Sequence, residues 1–229
     1  MDNLGSDDIK GTVRLGLPPS LTDMLVVRLI SNLKDKYPKI NLQIIEGFSG
    51  NLLEWLADER LDLCVLYNAA NVRSATSQPL WTEDVCFVEA RREHQPPPTV
   101  RLAEIVGRPL ILPGPKHGLR TLLAETCASI GCSLNILLEI DALGAIRDLV
   151  EADLGCAIQP QVAVQRLLDR GSVTVRRIVE PELTRTLYLV IPAARALSRA
   201  SETAAKILRS EMTHLANEGK WGSRAVIQY

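Results

Sequence analysis

The sequence predicts an α/β fold: two Rossmann-like subdomains joined by a double-crossover hinge. Three observations predict it. Residues 11–67 read as strand, helix, strand, helix, strand. The pattern restarts after Arg91-Arg92-Glu93-His94-Gln95 and three prolines, a polar stretch suited to a domain boundary. A late hydrophobic strand and a final helix then return the chain to the first subdomain. The expected division is 1–10 as a linker remnant, 11–88 with 188–218 as subdomain I, 89–187 as subdomain II, and 219–229 as a C-terminal tail.

The elements follow in order. Residues 12–17 alternate apolar and polar or small side chains up to Pro18, as a strand does. Leu21, Leu25, Leu29 and Leu33 recur every four residues and predict a helix that ends at Tyr37-Pro38. Ser20 with Asp23 fits a capping box at its start. Asn41 to Glu46 is a second strand. Gly47 to Gly50 turns into a helix through Leu52, Leu53, Trp55 and Leu56. Leu61 to Tyr67 is nearly continuous apolar sequence, the signature of a buried parallel strand. Leu80 to Glu89 is strand-like. The second series has a short helix at Leu102–Val106, a strand at Leu110–Leu112 and a helix through Leu119, Leu123 and Ile130. It continues with strand Ile136–Ile140, helix Ala142–Ala152, strand Cys156–Gln159, helix Gln161–Asp169 and strand Val173–Val179. Leu187–Ile191 is the returning strand, and Ser201–Ala216 the last helix.

Composition narrows the function. The 229 residues are 46% hydrophobic, with 26 Lys plus Arg against 27 Asp plus Glu and a net charge of -1. Nucleic-acid modules carry a basic excess, so this chain is not expected to grip DNA by itself. No apolar run reaches membrane-spanning length, and the polar start MDNLGSDDIK is not a signal peptide. The five cysteines, an odd number in mostly apolar segments, fit free thiols in a reducing cytoplasm.

Ligands of open parallel sheets bind beyond the carboxyl ends of the strands, where helix N-termini favour anions. Those ends are Pro18–Thr22, Gly47–Asn51, Tyr67-Asn68, Pro113–Gly118, Asp141 and Pro160-Gln161. Lys116, His117 and Arg120 add positive charge on one side. Ser20, Ser49 and Asp141 are equally suited to capping helices, and Lys116 and Arg120 to solvent. Enzyme signals are near-misses. GFSGN at 47–51 lacks the last glycine of a nucleophile elbow, and no His–Asp pair supports Ser49. GPKHGLRT at 114–121 has three residues between glycines where a Walker A loop has four. Cys127 and Cys132 lack a second pair of metal ligands. No catalytic residue, metal or cofactor is therefore expected. His94 and His214 read as surface residues.

The ordered set GTVRLGLPPSL, KYPKINLQIIEGFSGNLLEWL, ERLDLCVLYN, RPLILPGPKHGLR and EIDALGAIRDLVEADLGCAIQP resembles the effector-binding half of LysR-type transcriptional regulators across residues 10–215. The resemblance implies a fold like type 2 periplasmic binding proteins, with a small anionic metabolite in the cleft between subdomains. It puts effector contacts at Pro19, Ser20 and Thr22, at Ser49 and Gly50, and at Tyr67 and Asn68. In subdomain II it puts them at Pro113, His117, Gly118, Arg120 and Asp141. It also implies a homodimer in which helix 21–35, through the stripe Leu21–Leu33, faces helix 119–131 of a partner. DNA would be reached only through a winged helix-turn-helix that this sequence does not contain. Gln159 departs from the pattern, being polar where many members are apolar. The rival readings are a solute-binding transport protein, which needs an export signal, and an enzyme on the same scaffold, which needs a catalytic constellation.

Overall fold

The computed structural model describes residues 9–70, 72 and 75–221, so the expected linker remnant and tail lie largely outside the described residues. The described residues divide into two units, one within 9–82 and 186–219, the other within 83–185 and 220–221.

In the first unit, β1 (Gly11–Leu17), β2 (Ile40–Glu46) and β3 (Leu63–Tyr67) run parallel, with β1 between the other two. They are linked by α1 (Pro19–Lys36) and α2 (Ser49–Ala57), the predicted alternation. β4 (Ala75–Ala90) and β10 (Thr184–Pro192) each run across the division between units, and β10 pairs antiparallel with β3. Both strands are longer than the sequence patterns suggested. The last helix, α7 (Arg199–Asn217), lies against α1. Asn32 Nδ2 donates to Glu211 Oε1 at 2.7 Å and Arg28 pairs with Glu218 at 2.7 Å across that contact. Leu52, Leu56, Leu61, Cys64 and Leu66 form a core under α2. Gly16 is required there: a Cβ on it would lie 2.7 Å from Leu61 Cδ1 and 2.9 Å from Cys64 Cβ.

Two expectations for α1 are corrected. The helix begins at Pro19 with Pro18 as N-cap, so Ser20 lies inside the first turn and forms no capping box with Asp23. Proline at the first helical position supplies the fixed φ that starts a helix without a side-chain cap. The stripe Leu21, Leu25, Leu29 and Leu33 is at most 3% exposed within this one chain, so it is core and faces no partner. The apolar residue α1 leaves on its outer side is Val27, 70% exposed.

The second unit is a sheet in the order β7-β6-β8-β4-β9-β5. Its strands are β5 (Thr99–Arg101), β6 (Leu110–Leu112), β7 (Ile136–Glu139), β8 (Cys156–Pro160), β9 (Val173–Val179) and the second half of β4. The sequence pattern missed β5, a three-residue strand too short to show a period. Alternation divides the sheet into two apolar faces. Val85, Phe87, Ile158 and Ile178 pack with Leu102 of α3 (Leu102–Ile105) and Leu119 and Leu123 of α4 (Gly118–Ser129). Val88, Ala157 and Val173 pack with Ile146 and Val150 of α5 (Leu143–Glu151) and Val164 and Leu167 of α6 (Gln161–Asp169). Trp221, just past α7, is 2% exposed and belongs to this unit. Its Nε1 donates to Glu83 Oε2 at 2.8 Å, while Arg185 Nε donates to Glu83 Oε1 at 2.6 Å. That ion pair is almost wholly buried, at 4% and 1% side-chain exposure.

Candidate functional site

In the first unit the strand ends gather around Tyr67, the last residue of β3. Its hydroxyl lies 2.8 Å from Ser20 Oγ, and its backbone N–H donates to Ser49 Oγ at 3.2 Å. Ser20 and Ser49 are thus tied together through one residue, each from the first turn of its helix. Neither caps its helix: the N-caps are Pro18 and Phe48. Pro19 occupies the first position of α1, and Thr22 Oγ1 donates to Pro18 O at 3.2 Å. Gly50 meets open space where a Cβ would stand. Asn68 sits at φ 53, a left-handed conformation that asparagine tolerates better than most residues. There its N–H donates to Thr186 O at 2.7 Å and its Oδ1 accepts from Thr186 N at 3.1 Å. Asn68 thereby joins the end of β3 to β10.

In the second unit the sites gather at the start of α4. His117 is its N-cap, accepting from Leu119 N at Nδ1 over 3.1 Å. The hydrogen bond fixes the tautomer: Nδ1 is the acceptor, so the neutral ring carries its proton on Nε2. Burial pushes the imidazole down to about 4, the nearby Arg185 charge adds to that, and Asp141 opposes it. His117 is therefore neutral at pH 7. Asp141 does not cap α5, whose N-cap is Ala142. Its Oδ1 instead accepts from Gly114 N at 2.9 Å, which holds the loop between Pro113 and His117. Pro113 is buried beneath that loop. Gly118 is exposed, with open space around its missing Cβ. Arg120 is paired with Glu139 Oε1 at 2.8 Å, so its charge is partly neutralised, while its buried Nε has no hydrogen-bond partner. Lys116 is exposed, as are His94 and His214.

Each unit thus brings its own predicted residues together. A family model described as the LysR substrate binding domain matches residues 6–213. The chain belongs to that family. The transcriptional dual regulator GltC of Bacillus subtilis (strain 168) is 27% identical over 171 residues, covering 74% of this chain and 57% of GltC. The hydrogen peroxide-inducible genes activator of Haemophilus influenzae (strain ATCC 51907 / DSM 11121 / KW20 / Rd) is 24% identical over 160 residues, covering 69% of this chain and 52% of the relative. The chain spans about half the length of the curated relatives it matches. Among solved structures, the effector binding domain of QuiR in complex with shikimate matches with TM-score 0.76 and 22% identity, over 90% of this chain and 99% of QuiR's. The reduced form of OxyR matches with TM-score 0.73 and 24% identity, over 89% and 96%. The expected type 2 periplasmic-binding-protein-like fold is the fold of this LysR substrate-binding domain.

Sequence reasoning missed Arg185 and Thr186 as neighbours of the candidate residues in their own units. The available signal was the alternation of Thr184-Arg185-Thr186 ahead of an apolar run, which extends β10 backwards. Among the described residues, no group of His, Cys, Asp and Glu could hold a metal ion, and no helix is long and apolar enough to cross a membrane.

Proposed function

We propose that this LysR substrate-binding domain senses a small anionic metabolite at its strand ends, and that the complete protein uses it to control transcription. Three amide-rich helix starts support an acceptor-rich ligand: α1 and α2 beside Ser20, Tyr67 and Ser49, and α4 beside His117 and Gly118. The observation that carries the reading is the His117 cap. It is a neutral ring at the positive end of a twelve-residue helix, beside a glycine open to close approach. Shikimate, the ligand named with the QuiR domain, is a small carboxylate of the class proposed. Regulators among the relatives favour this reading over transport or catalysis.

Relatives named as peroxide-inducible activators raise thiol chemistry as an alternative. Four of the five thiols argue against it. Burial pushes Cys64, Cys86 and Cys127 up to about 12 and raises Cys156. The thiolate is the reacting form, and these four carry little of it at neutral pH.

The proposal includes a population shift. Ligand favours one conformation of the domain, and a cytoplasmic homodimer transmits it to DNA-binding domains. α1 and α4 remain the proposed dimer surfaces, α1 through the side that bears Val27 rather than through its leucines. Thermal-shift screening with shikimate, other organic acids and amino acids tests the ligand. Binding at a hundred times Kd stabilises by about 2.7 kcal/mol, or several degrees for a chain of this size. Ser20→Ala and Arg120→Ala should each reduce the shift. A panel with no shift, or variants that respond like the parent chain, overturns the proposal.

A further inference from the structure

The C-terminal end of α4 brings two cysteines together. Gly131 sits at φ 68, the left-handed conformation that stops a helix. Its N–H donates to Ala128 O at 3.3 Å, and Cys132 N donates to Cys127 O at 3.0 Å. These two bonds make a Schellman motif, in which the side chain just past the glycine packs on one in the last helical turn. That contact commonly joins two apolar side chains; here both partners are thiols. Cys127 is 3% exposed, and Cys132 packs half-buried against the same apolar cluster. Burial pushes the Cys127 thiol up to about 12, and its hydrogen bond with the Cys132 thiol adds to that, so the two sulfurs are in contact. Ile130 and Gly131 are exposed beside them, and a Cβ on Gly131 would meet nothing within 4 Å. A small uncharged solute can therefore reach the pair past a bare glycine. His117 and Gly118 lie at the opposite end of α4.

We propose that Cys127 and Cys132 form a binding site for trivalent arsenic, taken up as neutral arsenous acid or as a monosubstituted arsenical. The surroundings of the pair select this class among thiol-seeking species. A structural zinc site takes four ligands. Among the described residues no third His, Cys, Asp or Glu joins the pair to hold a metal ion. Copper(I) between two thiolates carries a net negative charge. That charge is disfavoured in an apolar cluster and at the negative end of a twelve-residue helix. A linear two-coordinate ion also spreads the sulfurs apart, whereas a disulfide draws them in to about 2.05 Å. Trivalent arsenic is pyramidal, so its two sulfur ligands stay near contact with each other. The exchange needs no oxidant: arsenous acid and two thiols give a dithioarsenite and two waters. Two As–S bonds form, two As–O bonds break, and each thiol proton leaves on a hydroxide as water. Nothing is oxidised or reduced. The product is uncharged and leaves no buried thiolate, which suits a cysteine that burial holds protonated.

The test is intact-mass titration of the reduced, folded 229-residue chain with phenylarsine oxide, followed by arsenite as competitor. Each chain should take up a single arsenical, and two of the five thiols should then be blocked when the chain is unfolded and its thiols are counted. Peptide mapping should place the adduct on the segment that holds Cys127 and Cys132, and arsenite should compete for it. Cys132→Ser should weaken uptake roughly a hundredfold or more, because the second bond is intramolecular once the first has formed. Cys127→Ala should do the same, and Cys132→Ser, a change at a half-buried position, covers the case in which the loss of Cys127 disturbs folding. No adduct on the folded chain, an adduct mapped to other cysteines, or unchanged uptake in Cys132→Ser each overturns the inference.

Discussion

The two strand-end clusters are built from different chemistry. In the first unit, uncharged hydroxyls and amides hold one another: Ser20 to Tyr67, Tyr67 to Ser49, Asn68 to Thr186. In the second, titratable groups do the work: His117 caps α4, Asp141 fixes the Gly114 loop, Arg120 meets Glu139, and the buried Glu83–Arg185 pair lies close enough to act on His117. Neutral networks keep their geometry across pH, because no member changes charge. Charged ones give strength and direction but respond to protonation and to loss of a partner. The contrast makes the cluster of the second unit the electrostatically sensitive one of the two, and three substitutions probe the comparison.

Arg185→Met should have the largest effect. It leaves Glu83 buried at 2% exposure with Trp221 Nε1 donating to it but without its cation. Breaking a buried pair in this way costs about 3–5 kcal/mol. Chemical denaturation should show that loss at neutral pH. The double replacement Glu83→Leu with Arg185→Met should recover part of it, because no buried charge is then stranded. If Arg185→Met unfolds at the parent's midpoint, the pair is not part of what holds the second unit.

Much of this contrast could be read in the sequence, and the unread part has identifiable causes. The parallel β-α-β-α-β order was legible because buried strands and amphipathic helices impose strong, separate periods on residues 11–67. Ser20, Ser49, Tyr67, His117 and Asp141 were legible as candidates because strand ends and helix starts follow from that order. Their partners were not. Ser20 looked like a cap with Asp23, but the helix starts two residues earlier, at Pro19, and frees the hydroxyl for Tyr67, 47 positions away in sequence. The leucines of α1 looked like a surface stripe, since local pattern says nothing of α7, which returns from the far end of the chain to lie against α1. Trp221 carried no periodic signal at all. Its indole donates a hydrogen bond to Glu83.

His117→Asn sharpens the comparison through pH. Asparagine is a good N-cap, so the acceptor for Leu119 N is retained while the titration is removed. In the parent chain the folded imidazole sits at about 4 against its ordinary 6.5, so the unfolded state binds the extra proton between those values. The contribution of the neutral ring is fully present above 6.5 and is lost as pH falls toward about 4. Melting temperatures measured from pH 7 down to 4 should therefore fall more steeply for the parent than for His117→Asn. Parallel curves would mean that His117 titrates in the folded protein as it does in water.

Tyr67→Phe should have the smallest effect, and it examines the neutral half. The ring and the backbone N–H to Ser49 stay, and only the hydroxyl contact to Ser20 goes. Ser20 is 7% exposed, so its Oγ loses a partner where water has little access. One neutral hydrogen bond contributes about 1 kcal/mol, and the loss should be the same at pH 5 as at pH 7 because no charge is involved. If the proposed ligand contacts this cluster, the same variant should weaken its binding by more than the stability cost, since the hydroxyls of Tyr67 and Ser20 orient one another. A stability loss that grew as the pH fell would show that the Ser20–Tyr67 contact is coupled to a titrating group, and the division into a neutral and a charged cluster would fail.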